Sequence, residues 1–349
     1  MNKRVVLNAA GWLVALAVGL LLPLLMSAGV QVIYIILILA IINTLGLSLI
    51  VGYAGQLSIG QAAFYATGAY TAGLLAINGV PTVIAFIAAP IASMLVAWVI
   101  GIPLLRLSGP FLAFATLAFH LILLTIITQA RDLTGGSVGL RGIPVLDIFG
   151  LELRSSLDYA WLAIIILFLV MLVARNVLHS RVGRALRGLS ASEAAVAATG
   201  INVGRVKLST FVLSAGFGGV AGGVYAFYFG FLSPSSFPVL LAFQFIIMAA
   251  VGGMGTLTGP IIGATVITVV VQVLNVVSTQ PGMPATAPAI LSYTVYALLL
   301  ILTMIFLPKG AGPAIAQGWR WLRTKLRSRG GEEPSVVTEE VAAVTVPER

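Results

Sequence analysis

The chain has 349 residues, of which 60% are hydrophobic and only 8% are charged, and it carries a net charge of +9. This composition excludes an ordinary soluble domain. The absence of cysteine excludes disulfides, thiol chemistry and cysteine-ligated metal sites. A positive charge of this size is typical of nucleic-acid binding, but here the basic residues flank long apolar runs, where Lys and Arg orient membrane helices. We therefore expect a protein embedded in a lipid bilayer, with no nucleic-acid partner.

Two long blocks hold no Asp, Glu, Lys or Arg, one between Arg4 and Arg106 and the other between Lys207 and Lys309. A chain of this length without charge must lie in lipid, where each backbone group needs a partner inside a helix or a closed barrel. The apolar runs are continuous rather than alternating, which favours helices. Proton- or ion-coupled carriers usually keep an ionisable group at bilayer depth. We therefore expect the energy for any transport to come from elsewhere.

The apolar runs predict an all-α polytopic membrane protein with about ten transmembrane segments (8–10), because about 20 residues span the hydrocarbon core. In chain order the segments are 7–28, 30–51, 56–78, 82–105, 110–130, 158–178, 207–229, 238–256, 259–279 and 288–307. The first is predicted to be an uncleaved span rather than a signal peptide. The segment at 56–78 is rich in Gly, Ala, Gln and Thr and is predicted to be broken or re-entrant.

The basic residues predict the orientation of the chain. Of the 19 Lys and Arg residues, only Arg131, Arg141 and Arg154 fall outside if every segment crosses the bilayer. The positive-inside rule then places both termini in the cytoplasm.

The predicted spans divide the chain into a membrane domain and a tail. The membrane domain covers 1–308, with an outer loop at about 131–157 and a cytoplasmic loop at about 179–206. The tail at 309–349 is basic and then acidic, and it is predicted to be disordered.

A short internal repeat links the two charge-free blocks. Residues 51–58 read VGYAGQLS and residues 251–258 read VGGMGTLT, so that Val, two Gly and Leu coincide and Ser faces Thr. Transporters commonly contain repeats and bind their substrate at the repeat interface. The span count predicts parallel copies, whereas inverted copies would need one intervening segment not to cross. Chance similarity is the alternative.

The first copy begins a stretch of small and polar residues that is a candidate translocation path: Gly52, Gly55, Gln56, Ser58, Gly60 and Gln61. Glycine permits a break in a helix, and the ends of half-helices offer backbone groups to a substrate. Helix packing with interhelical hydrogen bonds is the alternative, and the residues do not decide between the two. His120 is the only histidine within a predicted span. It has no nearby carboxylate, so we predict that it packs through a hydrogen bond and carries no protons.

The cytoplasmic loop has the pattern of a docking element. SASEAAVAAT at 190–199 is rich in strong helix formers. Ser190 and Glu193 have the spacing of a capping box, and Gly200 suits the end of a helix, where we expect it to have a positive φ. Three arginines recur every third residue and are expected to face acidic groups of a partner: Arg181, Arg184 and Arg187. A basic loop that only sets topology is the alternative.

Six strings, in this order, resemble the branched-chain amino acid permeases of bacterial ABC importers. They are GYAGQLSIGQAAFYATGAYTAG at 52–73, SGPFLAFATLAF at 108–119, LTGGSVGLRGIP at 133–144, SRVGRALRGLSASEAAVAATGINVGRVKL at 180–208, SAGFGGVAGGVYAF at 214–227 and VGGMGTLTGPIIGA at 251–264. Their order and spacing are similar to those of the M-type subunits of leucine/isoleucine/valine importers, from about 30 to 307. The chain departs from the general importer pattern by one extra residue between the Glu-Ala-Ala triplet and Gly200.

The resemblance implies a permease subunit rather than an enzyme, in the inner membrane of a bacterium. It implies a second homologous permease, two cytoplasmic ABC ATPases and an extracytoplasmic substrate-binding protein as partners. ATP and Mg are then expected on the ATPases, and no cofactor on this chain. It further implies that the cytoplasmic loop couples to an ATPase through Arg181, Gly183, Arg184, Ala185, Arg187, Glu193, Ala194, Ala195, Gly200 and Ile201.

Other functions stay open at this point. Related permeases that carry urea, short amides or other amino acids have overlapping signatures. A facilitator or channel that works without an ATPase is the alternative from another class. A membrane enzyme is disfavoured because the sequence contains no catalytic or metal-binding constellation.

Overall fold

In this computed structural model the described residues are 14–278, together with Trp12 and a few positions between 294 and 301. The described chain is mostly helical. Its helices are α1 (Val14–Leu25), α2 (Ala28–Ser48), α3 (Gln61–Ile77), α4 (Thr82–Leu104), α5 (Pro110–Gln129), α6 (Arg131–Thr134), α7 (Ser156–His179), α8 (Arg181–Leu189), α9 (Glu193–Ala198), α10 (Val203–Phe229), α11 (Val239–Gly252) and α12 (Gly259–Ser278). Most of the predicted last span at 288–307 and all of the tail at 309–349 lie outside the described residues.

Within the described residues, six helical segments are long and apolar enough to cross a bilayer. They are Ala28–Tyr53, Thr82–Leu104, Pro110–Gln129, Ser156–His179, Val203–Phe229 and Pro234–Gly252. The apolar stretches Val14–Leu25 and Gly259–Leu274 are shorter, and α3 has 17 residues. An all-α polytopic membrane fold is therefore confirmed, with six full-length segments in the part of the chain that the structure describes.

The predicted segment at 56–78 is broken, as its composition indicated. α2 continues into a π-helical turn at Leu49–Tyr53, and no further helix forms until α3 begins at Gln61. Gly55 has φ 66°, a conformation that strains any residue with a Cβ. Most of the non-helical residues from Gln56 to Gly60 are nevertheless buried. The break therefore places non-helical backbone inside the protein, where it is shielded from lipid.

Helix α10 packs between α3 and α4, and glycine makes this close contact possible. A Cβ at Gly68 of α3 would overlap the backbone of Gly219 on α10, and a Cβ at Gly222 would overlap the backbone of Tyr65. Facing α4, a Cβ at Gly219 would lie 2.6 Å from Ser93 Oγ. Lipid tails are as apolar as the side chains, so helices associate through close packing rather than through the hydrophobic effect. The glycines of α10 therefore hold the centre of the bundle together.

The bundle has two distinct ends. At one end, α8 and α9 connect α7 to α10, and we call this the loop end. At the other, antiparallel pairs join β1 (Leu140–Arg141) to β4 (Phe231–Leu232) and β2 (Asp147–Ile148) to β3 (Leu151–Glu152), and we call this the hairpin end. The predicted outer loop at about 131–157 supplies three of these four strands. The two loops predicted on opposite sides of the bilayer thus lie at opposite ends of the bundle.

Substitution of Gly68 by Ala should destabilise the protein, because the added methyl group must push α3 away from Gly219. Overpacking of this kind costs about 1–3 kcal/mol. Gly29→Ala is the matched control, since a Cβ at Gly29 meets no atom within 4 Å. Thermal unfolding of the purified protein in detergent would show a lower Tm for Gly68→Ala and an unchanged or higher Tm for Gly29→Ala. Equal Tm values for the two variants would contradict the packing described above.

Candidate functional site

Two short helices, α8 and α9, form the loop end, and serine caps each of them. Ser180 Oγ accepts a hydrogen bond from Val182 N at 3.1 Å, and Ser192 Oγ accepts one from Ala195 N at 3.3 Å. The predicted capping box of Ser190 and Glu193 is therefore wrong. α8 runs on to Leu189, so Ser190 closes that helix instead, and its hydroxyl donates to Arg187 O at 2.9 Å. Helix α9 is correspondingly shorter than the predicted stretch at 190–199.

A small hydrophobic core fixes α8 and α9 to the membrane bundle. Leu186 and Leu189 of α8 and Val196 of α9 are buried together with Ala54, the residue that ends the π-helical turn after α2. Gly188 lets the two helices approach, because a Cβ there would lie 2.7 Å from Val196 Cγ2. The α8–α9 loop is therefore a folded unit that packs against the helix break.

Two small residues of the predicted coupling set shape this unit from within. Gly183 is buried, and a Cβ there would overlap the backbone of Leu178 at the end of α7. Ala185 is 7% exposed. Both residues therefore determine how α8 packs rather than presenting an outer surface.

An ion pair ties α9 to the first turn of α10. Lys207 Nζ donates to Glu193 Oε1, and the Lys207 side chain is only 10% exposed whereas that of Glu193 is 55% exposed. Glu193, predicted to contact a partner, thus has a partner within its own chain. A buried ammonium is costly unless it is paired, so this pair holds α9 in place.

The three loop arginines do not share one role. Arg181 and Arg184 are exposed and line a groove of about 550 Å³ between α8 and α9. Arg187 turns back, and its Nη1 donates to Leu178 O at 3.0 Å, which satisfies a carbonyl at the end of α7. Arg187 is also exposed, so the expectation that all three arginines face acidic groups of a partner stays a prediction.

The outer face of α9 is small and open. Ala194, Ala195, Ala197 and Ala198 are exposed, and Ile201 is 38% exposed beside the groove. Gly200 follows the helix with φ 80°, and a Cβ added there would meet no atom within 4 Å. Glycine is therefore favoured at this position by the backbone conformation and not by packing. The predicted positive φ at this position is confirmed. This surface combines exposed methyl groups with two basic side chains.

The six residues predicted for a translocation path fall into two groups. Gly52 and Gly55 lie at the loop end, where a Cβ at Gly52 would overlap the backbone of Gly255 and one at Gly55 would lie 3.6 Å from Ser190 Cα. Gly52 therefore allows close packing, whereas Gly55 is favoured by its positive φ of 66°. Gln56, Ser58, Gly60 and Gln61 are instead buried inside the bundle.

The buried group forms hydrogen bonds with the helices around it. Gln61 Nε2 donates to Ser214 O at 3.1 Å, and Ser214 Oγ donates to Gln61 Oε1 at 3.0 Å. Thr116 Oγ1 of α5 accepts a bond from Ile59 N at 2.9 Å. Gln56 Oε1 has no hydrogen-bond partner among the described residues. The non-helical stretch after α2 is therefore a polar strip inside an apolar bundle.

The two copies of the repeat touch each other, and each has a glycine with positive φ at the same position. Gly55 and Gly255 occupy the same position in their copies, with φ 66° and 80° respectively, and each follows a helix that ends there. Thr44 lies beside Met248, and Gly52 lies beside Gly255, so α2 and α11 run in the same direction. The predicted parallel relation agrees with this geometry.

Sequence reasoning missed several residues around the polar strip. Ser214 and Thr116 belong to α10 and α5, far from the strip along the chain. Phe237, Tyr65, Tyr70 and Tyr225 form an aromatic cluster farther toward the hairpin end. Only the polarity of Ser214 and Thr116 within apolar runs could have suggested them. His120, predicted to form a hydrogen bond, has Nε2 3.2 Å from Phe237 O.

Comparison with known proteins gives a consistent result. A family model described as the permease component of the branched-chain amino acid transport system matches residues 25–304. The chain is 32% identical over 273 residues to the high-affinity branched-chain amino acid transport system permease protein LivM of Escherichia coli, covering 71% of this chain and 64% of the relative. It is 31% identical over 280 residues to the protein of the same name from Salmonella typhimurium, covering 73% and 65%.

A third relative is archaeal. The probable branched-chain amino acid transport permease protein LivM of Methanocaldococcus jannaschii is 27% identical over 258 residues, covering 71% of this chain and 74% of the relative. The alignments span slightly less than two thirds of the two enterobacterial relatives. No solved structure matches the chain.

Replacement of Glu193 by Gln should loosen α9, because it leaves the largely buried Lys207 ammonium without its carboxylate. We expect a local loss of about 1–2 kcal/mol, between the values for exposed and buried pairs. Hydrogen–deuterium exchange of the α9 amides should then be roughly tenfold faster, with the α4 amides as internal reference. A second change, Lys207→Met, should restore slow exchange by removing the stranded charge. Unchanged exchange in Glu193→Gln would show that the pair contributes nothing to the loop.

Proposed function

This chain belongs to the family of permease components of branched-chain amino acid transport systems, and from this premise we propose that it is the membrane subunit of an ATP-driven ABC importer. In this proposal it carries branched-chain amino acids across the inner membrane of a bacterium. Its partners are a second homologous permease, two cytoplasmic ATPases that bind ATP and Mg, and an extracytoplasmic substrate-binding protein. The catalytic work is then done by the ATPases, and this chain is not an enzyme.

The folded α8–α9 loop is the observation that carries the proposal. A loop that only set topology would need its positive charges and no fixed shape. Here a hydrophobic core, two serine caps and the Lys207–Glu193 ion pair hold two helices against the break after α2. Movement of this loop would reach Ala54 and the polar strip directly. This is the property that a coupling element needs, and a facilitator without an ATPase would have no use for it.

The residues that would contact an ATPase are the exposed ones. Arg181 and Arg184 offer positive charge, and Ala194 and Ala195 offer a small face on which another chain can pack closely. Gly183, Ala185 and Arg187 would act by shaping the loop. Glu193 would act through Lys207, and Gly200 through the turn that follows α9.

The distribution of charge supports the energy source and the orientation. The charge-free blocks leave no carboxylate for coupling to protons within them. The loop end holds Arg181, Arg184, Arg205 and Lys207, so the positive-inside rule places it in the cytoplasm. Both termini are then cytoplasmic, and the hairpin end faces the binding protein.

The polar strip from Gln56 to Gln61 is the part of the path that we assign to this chain. It lies inside the bundle and offers the unpaired Gln56 Oε1 and a short polar surface in an otherwise apolar interior. Gly52 and Gly55 lie in the backbone that joins α2 to the strip, next to the loop end.

The test is uptake of labelled L-leucine by proteoliposomes that contain the complete complex, with binding protein outside and ATP inside. Uptake should stop when the P-loop lysine of the ATPase is replaced by Ala, and it should persist when a protonophore collapses the proton gradient at constant ATP. Unlabelled isoleucine and valine should compete with leucine, whereas urea and acetamide should not.

Each alternative function gives a different result. Uptake that follows the proton gradient while the ATPase is inactive would contradict the importer in favour of a secondary carrier. Uptake that needs neither ATP nor a gradient would favour a facilitator. Competition by urea or acetamide but not by isoleucine would indicate an ABC permease for urea or short amides.

A further inference from the structure

Phe237 is completely buried, although it lies in the non-helical connection between α10 and α11. The connection includes β4 and a short 3-10 turn at Pro234–Ser236, after which Phe237 enters the bundle. Its ring centroid lies 5.2 Å from that of Tyr65, 5.5 Å from that of Tyr225 and 6.1 Å from that of Tyr70. An aromatic side chain of a connecting segment thus fills a space enclosed by α3, α10 and α5.

The backbone of this segment is held independently of the ring. His120 Nε2 lies 3.2 Å from Phe237 O, and Phe237 N donates a hydrogen bond to Pro234 O at 3.1 Å. Because a carbonyl oxygen can only accept, His120 Nε2 must be the donor of its bond. Rotation of the Phe237 side chain about its own bonds would therefore leave these contacts intact.

Two buried polar atoms beside Phe237 have no hydrogen-bond partner among the described residues, Tyr70 OH and His120 Nδ1. Tyr70 is 4% exposed and His120 is 0% exposed. Buried polar groups nearly always have partners, so two unpaired atoms around one ring need an explanation. With the proton of a neutral imidazole on Nε2, Nδ1 is an acceptor, while the Tyr70 hydroxyl can donate.

We propose that Phe237 occupies the place of the substrate's side chain in an occluded amino-acid site. The substrate class is an α-amino acid with a branched aliphatic side chain, so this inference rests on the function proposed above. When the ring swings out, the aliphatic side chain lies between Tyr65, Tyr70 and Tyr225. His120 Nδ1 accepts a hydrogen bond from the substrate ammonium, and the Tyr70 hydroxyl donates one to its carboxylate.

This site recognises a zwitterion without a charged side chain. Its tyrosines and Phe237 lie in the two charge-free blocks, and His120 lies in the uncharged stretch between Arg106 and Arg131. The net charge of the amino acid is zero, so neutral donors and acceptors can match its two ends. The ring of Phe237 is apolar and larger than a leucine side chain, so the space that it vacates accepts leucine, isoleucine or valine.

The first experiment removes the two unpaired atoms one at a time. Tyr70→Phe deletes only the hydroxyl, and His120→Gln keeps a donor near Phe237 O while replacing the ring acceptor Nδ1 with an amide oxygen at a different position. Because neither deleted atom has a hydrogen-bond partner within the described part of the chain, Tm should be unchanged or raised. We expect kcat/KM for L-leucine uptake by the complete complex to fall at least tenfold in each variant. A purely structural role would leave uptake at the parent level.

The second experiment vacates the proposed site. Phe237→Ala should strengthen binding of labelled L-leucine to the purified permease complex at least fivefold in equilibrium dialysis, because the competing ring is gone. Phe245→Ala is the matched control: Phe245 is also buried, and its ring centroid lies 6.3 Å from that of Tyr65, but it belongs to α11. It should lower Tm like Phe237→Ala and leave the affinity for leucine unchanged.

The outcomes separate this inference from the proposed function. Suppose that the parent complex takes up leucine with ATP, but that Tyr70→Phe and His120→Gln transport normally and Phe237→Ala binds leucine no more tightly than Phe245→Ala. The proposed site is then contradicted, whereas the proposed function is not. If the parent complex takes up no leucine, the proposed function fails and this site fails with it.

Discussion

Backbone contact at glycine is the interaction on which the rest of this structure depends. In a bilayer the apolar side chains gain little by leaving lipid, so helices are held by packing at short distance. Gly68 against Gly219, and Gly222 against Tyr65, bring α3 and α10 together without intervening side chains. The contact between Gly52 and Gly255 does the same for the two copies of the repeat. These contacts enclose the non-helical stretch after α2, which could not exist in contact with lipid.

Helix α10 connects this packed centre to the loop end. In its middle it pairs with Gln61 through Ser214, and in its first turn Lys207 holds α9 through Glu193. The α8–α9 loop packs in turn on Ala54, at the start of the polar strip. Displacement of the loop can therefore reach the interior through two sets of direct contacts, one along α10 and one at the helix break. Because each route consists of direct contacts, the loop and the strip are placed to move together.

Sequence reasoning predicted the features that local chemistry determines. The charge-free blocks gave the membrane fold, the Gly- and Gln-rich stretch gave the break before Gln61, and Gly200 was correctly expected to have positive φ. The predictions were wrong where contacts between distant parts of the chain determine the local structure. Ser190 has the spacing of an N-cap for α9, but α8 extends to Leu189, so Ser190 lies at the C-terminal end of α8 and Ser192 caps α9. The aromatic cluster around Phe237 joins residues far apart along the chain, and no periodicity marks it.

We propose that the α8–α9 loop transmits to the membrane bundle the movement that ATP hydrolysis drives in the ATPases. Two matched glycine variants test this claim. Gly200 and Gly79 have φ 80° and 83°, neither has an atom within 4 Å of an added Cβ, and they lie at opposite ends of the bundle. Replacement of either by Val introduces similar backbone strain of about 1–3 kcal/mol. The measurement is stimulation of ATPase activity by loaded binding protein in the reconstituted complex. Gly200→Val should lose stimulation and Gly79→Val should retain it, whereas equal stimulation in the two assembled complexes would contradict the claim.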